Sequence, residues 1–86
     1  MHEAGLTRGL LREIETQARR AGASEVTRVC VWLGALSQMT PAHFAEHFAQ
    51  EAGATLAAGA VLDCERSDDP FHPQAQHVRL VSIDVR

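Results

Sequence analysis

The segment "EVTRVCVWLG", residues 25–34, constrains the fold most strongly, because it predicts a strand that is apolar on both of its faces. β-Branched residues dominate the segment and a glycine closes it, which is typical of a strand. Alternation divides its apolar side chains into two sets: Val29, Val31 and Leu33 on one face, and Val26, Cys30 and Trp32 on the other. Such a strand must be covered on both faces or present one face to a partner.

The segment before this strand predicts an amphipathic helix from about Ala4 to Ala21. Its apolar residues recur at helical spacing: Leu6, Leu10, Leu11, Ile14, Ala18 and Ala21. Gly22 stands where a C-terminal cap is expected, and Arg19 and Arg20 suit the negative end of the helix dipole. We therefore expect the apolar face of this helix to pack on the sheet.

The rest of the chain predicts a second helix and two more strands. Thr40 and Pro41 favour a helix start, and Phe44 and Phe48 share one helical face that we expect to enter the core. "GAVLDCE" predicts a second strand and "HVRLVSIDV" a third. Alternation in the third strand selects Val81, Ile83 and Val85. This order predicts an α+β fold, with two helices packed on a small three-stranded sheet, as a single domain over residues 1–86.

The composition excludes several classes of function. The net charge is −3 and there is no Lys, so the chain lacks the basic stripe of a nucleic-acid-binding protein. No apolar run has the length of a membrane span, and the first residues do not resemble a secretory signal. Cys30 and Cys64 are far apart and form no C-x-x-C pair, which is typical of free thiols in a reducing compartment. We therefore expect a cytoplasmic protein that binds neither nucleic acid nor membrane.

The first three residues, Met1, His2 and Glu3, form a candidate metal site. The α-amine, the His2 amide and the His2 imidazole follow one another, so they can close adjacent chelate rings on one ion. Ni(II) and Cu(II) favour such square-planar nitrogen sites, and Glu3 can add its amide or its carboxylate. Binding should strengthen as the amine and the imidazole lose their protons. The alternative is an ordinary chain terminus, in which Glu3 only interacts with the helix dipole.

The segment "HFAEH" offers a second, weaker candidate. His43, Glu46 and His47 fit the H-x-x-E-H pattern of one metalloprotease class, and histidines four residues apart share a helical face. A catalytic zinc needs a third protein ligand and a shaped cavity, so a solvated helix face is the favoured interpretation. Cys30 and Cys64 are interpreted as buried thiols that behave as small hydrophobes. Nothing else in the sequence argues for an enzyme.

Several segments, in their order along the chain, resemble one known family. They are "MHE", "AGASEVTRVCVWLGALS", "TPAHFAEHF", "ATLAAGAVLDCE" and "VRLVSIDV". Each is weak by itself, but together they resemble the HypA (also HybF) family, the nickel incorporation proteins of [NiFe]-hydrogenase maturation.

The resemblance implies a nickel metallochaperone that acts by metal transfer and not by catalysis. It implies a mixed sheet like that of the family's nickel-binding domain, and Ni(II) bound by Met1, His2 and Glu3. It also implies two partners, a nickel-handling GTPase and the immature [NiFe]-hydrogenase large subunit. The apolar strand face around Cys30 and Trp32 departs from the family pattern. That face is interpreted either as a contact surface, with a second copy or with a hydrogenase subunit, or as packing beneath a helix.

The chain also departs from the family in the interval before its last strand. Family members carry two C-x-x-C pairs there, whereas this chain has "RSDDPFHPQAQH", which contains no cysteine. Structural zinc is therefore predicted to be absent, and the interval is predicted to join two strands of the same domain. An alternative function follows from this departure: a degenerate interaction module that docks on a hydrogenase subunit without delivering metal.

Overall fold

Helices and strands follow one another in the predicted order. A computed structural model describes the backbone of residues 3–86 and the side chains of residues 5–86. Its elements are α1 (Glu3–Arg20), β1 (Val26–Leu33), α2 (Pro41–Ala52), β2 (Val61–Arg66) and β3 (Val78–Val85). Within these described residues, neither helix combines the length and the hydrophobicity needed to cross a bilayer.

The end of α1 is closed by the predicted glycine cap. Gly22 adopts a left-handed φ of 70°. The Ala23 N–H donates to the carbonyl oxygen of Ala18 (3.0 Å), and the Gly22 N–H donates to that of Arg19 (3.0 Å). These two bonds satisfy carbonyl groups that the end of a helix otherwise leaves without a partner. The cap therefore ends α1 just before the turn into β1.

The start of α2 is also closed as predicted. The side chain of Thr40 accepts a hydrogen bond from the His43 N–H (3.1 Å), and Pro41 is the first helical residue. Phe44 and Phe48 are buried with their ring centroids 6.1 Å apart. The two aromatic rings thus anchor one face of α2 to the core and leave the opposite face to solvent.

The sheet is mixed, with β1 in the centre of the order β2-β1-β3. β1 runs parallel to β2, where Val29 pairs with Leu62, and antiparallel to β3, where Val29 pairs with Ile83. A parallel pair needs a long crossover connection, which α2 supplies between β1 and β2. The predicted fold class, two helices on a small three-stranded mixed sheet, is confirmed.

One face of the sheet is covered by the two helices and contains the core. α1 packs against α2 and β3, and α2 packs against β2. The buried side chains that form this core are Leu10, Leu11, Ile14, Ala18, Val26, Val29, Val31, Leu33, Met39, Phe44, Phe48, Ala52 and Ala57. We call this helix-covered side the inner face and the opposite side the outer face.

Because of two β-bulges, the side chains on each strand face differ from those predicted. Between Val26 and Arg28, β1 has one residue more than β3, so Val26 joins the inner face at 1% exposure and not the face of Cys30 and Trp32. Between Cys30 and Val31 the extra residue lies on β3 instead. The predicted alternation in β3 is therefore wrong. The side chains of β3 that pack on the core are Val78, Leu80 and Ile83, whereas Val81 and Val85 are exposed.

The interval between β2 and β3 is held against the end of β1 by backbone hydrogen bonds. The Ser67 N–H donates to the Leu33 carbonyl (2.9 Å), the Gly34 N–H to that of His77 (2.9 Å), and the Leu36 N–H to that of Ala75 (2.7 Å). The interval therefore joins two strands of the same sheet, as predicted. Gly34 lies so close to it that a Cβ on this residue would overlap the Ala75 carbonyl oxygen.

We predict opposite effects for two glycine-to-alanine substitutions. Gly34→Ala should lower the free energy of unfolding by about 1–3 kcal/mol, because the new methyl group forces the backbone at Ala75 to move. Gly9→Ala, in α1 with open space at its Cβ position, should raise it by about 0.5–1 kcal/mol. Urea unfolding followed by circular dichroism measures both. Equal effects of the two substitutions would contradict the close approach at Gly34.

Candidate metal site and the outer face of the sheet

The predicted ligands Met1, His2 and Glu3 fall at the beginning of α1. Met1 and His2 lie outside the described residues, and so does the side chain of Glu3, whose backbone forms the first residue of the helix. The mutual geometry of these groups is thus not described, and the nickel site stays a prediction. The surroundings of the start of α1 are described, however, and they show which other groups lie at this end of the molecule.

Contacts between the helices place the first half of α1 beside the end of α2. The Arg8 Nε lies 3.5 Å from the Glu51 Oε2, and further along α1 the Glu15 Oε2 accepts a hydrogen bond from the Leu56 N–H (3.3 Å). Since the contacts advance along both segments together, α1 runs in the same direction as residues 51–56. His47 lies one helical turn before Glu51, and the first turn of α1 lies one turn before Arg8, so His47 is placed near the first turn of α1.

A cleft opens at this same end. Its volume is about 610 Å³, and Leu6 forms one wall. The other walls come from the segment that precedes α2 and from the start of β3: Leu36, Ser37, Gln38, Met39, Gln76, His77 and Val78. His77 is exposed here. The cleft confirms that the first turn of α1 lies beside the loop that leads into α2.

The two histidines of α2 contact each other on its solvent side. The His43 and His47 Nε2 atoms are 3.1 Å apart, and the ring centroids are 4.8 Å apart with planes tilted by 40°. His43 is exposed, His47 is half-buried, and Glu46 between them is exposed. The sequence predicted the shared helical face but not the contact between the rings. Among the described residues, no group of three His, Cys, Asp or Glu side chains is placed to hold a metal ion.

The outer face of the sheet carries a group of charged side chains beside a group of aromatic side chains. Arg28 forms an ion pair with Asp63, and its Nε lies 3.7 Å from the Asp84 Oδ2. The hydrogen bond that Arg28 donates to Asp63 raises the pKa of Arg28 further above its usual value. Further along the sheet, the half-buried Trp32 lies against His72, with ring centroids 4.8 Å apart. The contact surface predicted around Cys30 and Trp32 is thus an outward-facing surface with ionic and aromatic parts.

Spacing in the sequence carried no signal for the contact between Trp32 and His72. His72 belongs to the interval between β2 and β3, and its Nδ1 accepts a hydrogen bond from the Gln74 N–H (3.0 Å). The fold of that interval brings the imidazole to the indole. Nearby Val81 is 58% exposed, and Phe71 on the same interval is 92% exposed. The aromatic part of the outer face therefore includes residues from three separate segments.

The two cysteines are half-buried free thiols, so the prediction of two buried thiols is only partly correct. Cys64 packs on the core from β2, and Cys30 lies on the outer face, where its Sγ is 3.9 Å from the Asp63 Oδ2. Burial, followed by the neighbouring charge of Asp63, raises the pKa of the Cys64 thiol. The folded protein therefore holds the thiol proton of Cys64 more tightly than an exposed cysteine does.

Comparison with known proteins identifies close relatives in one family. Residues 1–72 match the family profile "Hydrogenase/urease nickel incorporation, metallochaperone, hypA". The chain is 40% identical over 63 residues to the hydrogenase maturation factor HypA of Acidithiobacillus ferrooxidans (strain ATCC 53993 / BNL-5-31). This match covers 73% of the chain and 56% of the relative, so the chain spans little more than half of that protein.

Two further comparisons cover more of the chain. The hydrogenase maturation factor HypA of Klebsiella pneumoniae (strain 342) is 36% identical over 88 aligned positions, which cover 92% of this chain and 77% of the relative. The solution structure of the Ni metallochaperone HypA from Helicobacter pylori superposes with a TM-score of 0.84. It covers 99% of this chain and 97% of that chain at 22% identity, a likeness that shows a shared fold.

The raised pKa of Cys64 predicts slow alkylation. In a Cys30→Ser variant, where Cys64 is the remaining thiol, iodoacetamide should react more slowly at pH 8 with the folded than with the urea-unfolded protein. The folded state holds the thiol proton more tightly, so the pH midpoint of the reaction should also be higher when folded. For the same reason, stability should fall as pH rises above the ordinary thiol pKa. Equal midpoints in the two states would contradict the assignment.

Proposed function

The chain belongs to the HypA family of hydrogenase/urease nickel-incorporation metallochaperones, and on that premise we propose that it carries Ni(II) on Met1, His2 and Glu3. The function is transfer of the metal and not catalysis. The observation that carries the proposal is the order of donors at the start of the matched stretch: amine, amide and imidazole on consecutive residues. With a free α-amine on Met1, this set offers Ni(II) nitrogen ligands in adjacent chelate rings.

The position of Glu3 at the first residue of α1 supports this donor set. The first four N–H groups of an α-helix have no carbonyl partner within the helix. A metal that displaces the amide proton of His2 or Glu3 therefore breaks no helical hydrogen bond. The helix itself holds the segment at one end of the molecule, beside the cleft and the exposed face of α2. The proposed donors thus adjoin a helix whose own hydrogen bonds do not use them.

Release of the metal follows from the acid–base chemistry of the same donors. Protonation of the amine or of the His2 imidazole removes a ligand, with ordinary pKa values of about 7.7–8.0 and about 6.5. A partner that offers better ligands can remove the ion in the same way. We propose that the recipient is an immature [NiFe]-hydrogenase large subunit, that a nickel-handling GTPase assists, and that delivery occurs in the cytoplasm. In this chain the transfer proceeds without structural zinc.

A titration with Ni(II) tests the N-terminal site. Protein with native Met1 should bind one ion tightly with a square-planar absorption band. Either His2→Ala or acetylation of the α-amine should weaken that affinity by at least about 100-fold, because each change removes a ligand and even the loss of a group that only supports a ligand costs up to that factor. Acetylation leaves every side chain in place and blocks only the amine. One residue added after Arg86 is the matched control and should change nothing. Equal affinity in native and acetylated proteins would disprove the proposal.

A second candidate function rests on the outer face of the sheet. This face has an aromatic and apolar part, which consists of Trp32, His72 and the exposed Val81. Beside it lies the charged part, in which Arg28 pairs with Asp63. Such a surface suits docking on a hydrogenase subunit without metal delivery. The two functions are separable because the outer face and the start of α1 are distinct parts of the molecule.

A pair of aspartate substitutions tests this second candidate. Trp32→Asp should reduce binding to the hydrogenase large subunit by at least about tenfold, because it removes an aromatic anchor and adds a charge. Thr16→Asp adds the same charge to the exposed side of α1 and should leave binding unchanged. Binding to the purified subunit is measured by calorimetry, and folding by circular dichroism. Normal binding by a folded Trp32→Asp protein would eliminate the docking function.

A further inference from the structure

The imidazoles of His43 and His47 already stand at the separation that a shared metal ion requires. Their Nε2 atoms are 3.1 Å apart. If both bound one ion at the usual metal–nitrogen distance of about 2.0–2.1 Å, they would subtend an angle of about 95–102° at the metal. That angle lies between the values for square-planar or octahedral and tetrahedral coordination. The pair therefore fits two adjacent positions of a transition-metal ion without a change of backbone.

The hydrogen bond between the rings occupies the place of the ion. With neutral histidines, one Nε2 donates its N–H and the other accepts, so a single proton lies between two nitrogens. A metal ion can replace that proton when the donor ring moves its proton from Nε2 to Nδ1. Both Nε2 lone pairs then face the ion, and no proton leaves the pair. The number of protons on the two rings is therefore the same before and after the metal binds.

The backbone beneath the pair is fixed by features that do not depend on metal. The Thr40 side chain caps the first turn of α2 at His43, and the neighbouring Phe44 and Phe48 are buried in the core. Four-residue spacing on a helix that is fixed in this way keeps both imidazole rings on one side.

We propose that His43 and His47 form a second metal site, a two-imidazole clamp that binds Ni(II) independently of the N-terminal donors. Imidazole nitrogens suit Ni, Cu and Zn, and two neutral ligands bind weakly enough for metal to exchange. The contacts of Arg8 with Glu51 and of Glu15 with Leu56 put this clamp at the same end of the helical layer as the start of α1. A nickel ion released from the N-terminal donors therefore has a nearby position on α2.

The test uses the His2→Ala variant with an acetylated α-amine, so that the N-terminal site is removed from the measurement. NiCl₂ is titrated while NMR follows the imidazole signals, and CuCl₂ is titrated in parallel. Ni(II) should broaden the signals of His43 and His47 first, and Cu(II) should do so at lower concentration, as the affinity order of divalent metals requires. Broadening that begins at His72 or His77, or at no histidine, would overturn the proposal.

A relocated histidine supplies the matched control. Ala45 is exposed, so the double substitution Ala45→His with His47→Ala keeps the number of histidines but places them two residues apart, on different sides of α2. This variant and His43→Ala should each bind Ni(II) at least tenfold more weakly than the acetylated His2→Ala parent, whereas His77→Ala should bind equally well. Equal binding by the relocated variant would disprove a clamp. The N-terminal proposal is tested separately, by the loss of the tight site when the α-amine of the native protein is acetylated.

Discussion

Pairing of β1 on both of its edges is the constraint on which the rest of the molecule depends. The strand is parallel to β2 and antiparallel to β3, and its inner side chains Val29, Val31 and Leu33 are fully buried beneath the helices. A central strand of this kind fixes the helices to one side, because the crossover through α2 must return to the same sheet. The start of α1, the exposed face of α2 and the cleft between Leu6 and the loop before α2 are positioned as a consequence.

Much of the fold was predictable because its signals are local. The glycine at position 22, the Thr40–Pro41 start and the spacing of Phe44 and Phe48 each depend on a few neighbouring residues. The strand faces were less predictable. Alternation assumes an uninterrupted pleat, whereas the bulges near Val26 and Val81 arise from how β1 and β3 match in length and twist. A bulge moves every following side chain to the other face, so single-strand patterns fail there.

The same distinction between local and long-range signals applies to the candidate sites. Met1, His2 and Glu3 were predicted from chemistry that is written in consecutive residues, and they stay a prediction. The contact between the His43 and His47 rings needed side-chain conformations, which spacing restricts to one face but does not determine. The contact between Trp32 and His72 needed the path of the interval between β2 and β3, which no local pattern encodes. Side-chain contacts between segments that are distant in the sequence were therefore not predicted.

The pairing of β1 with β3 also has a consequence for how the molecule forms. Val26 pairs with Val85, about 60 residues later in the chain, and the pairing continues along the whole strand. Such distant contacts carry a large loop-closure cost that must be met before they stabilise anything, which slows folding. On the ribosome, β1 is made long before residues 78–85. One edge of the central strand therefore stays unpaired until the last residues of the chain have been synthesised.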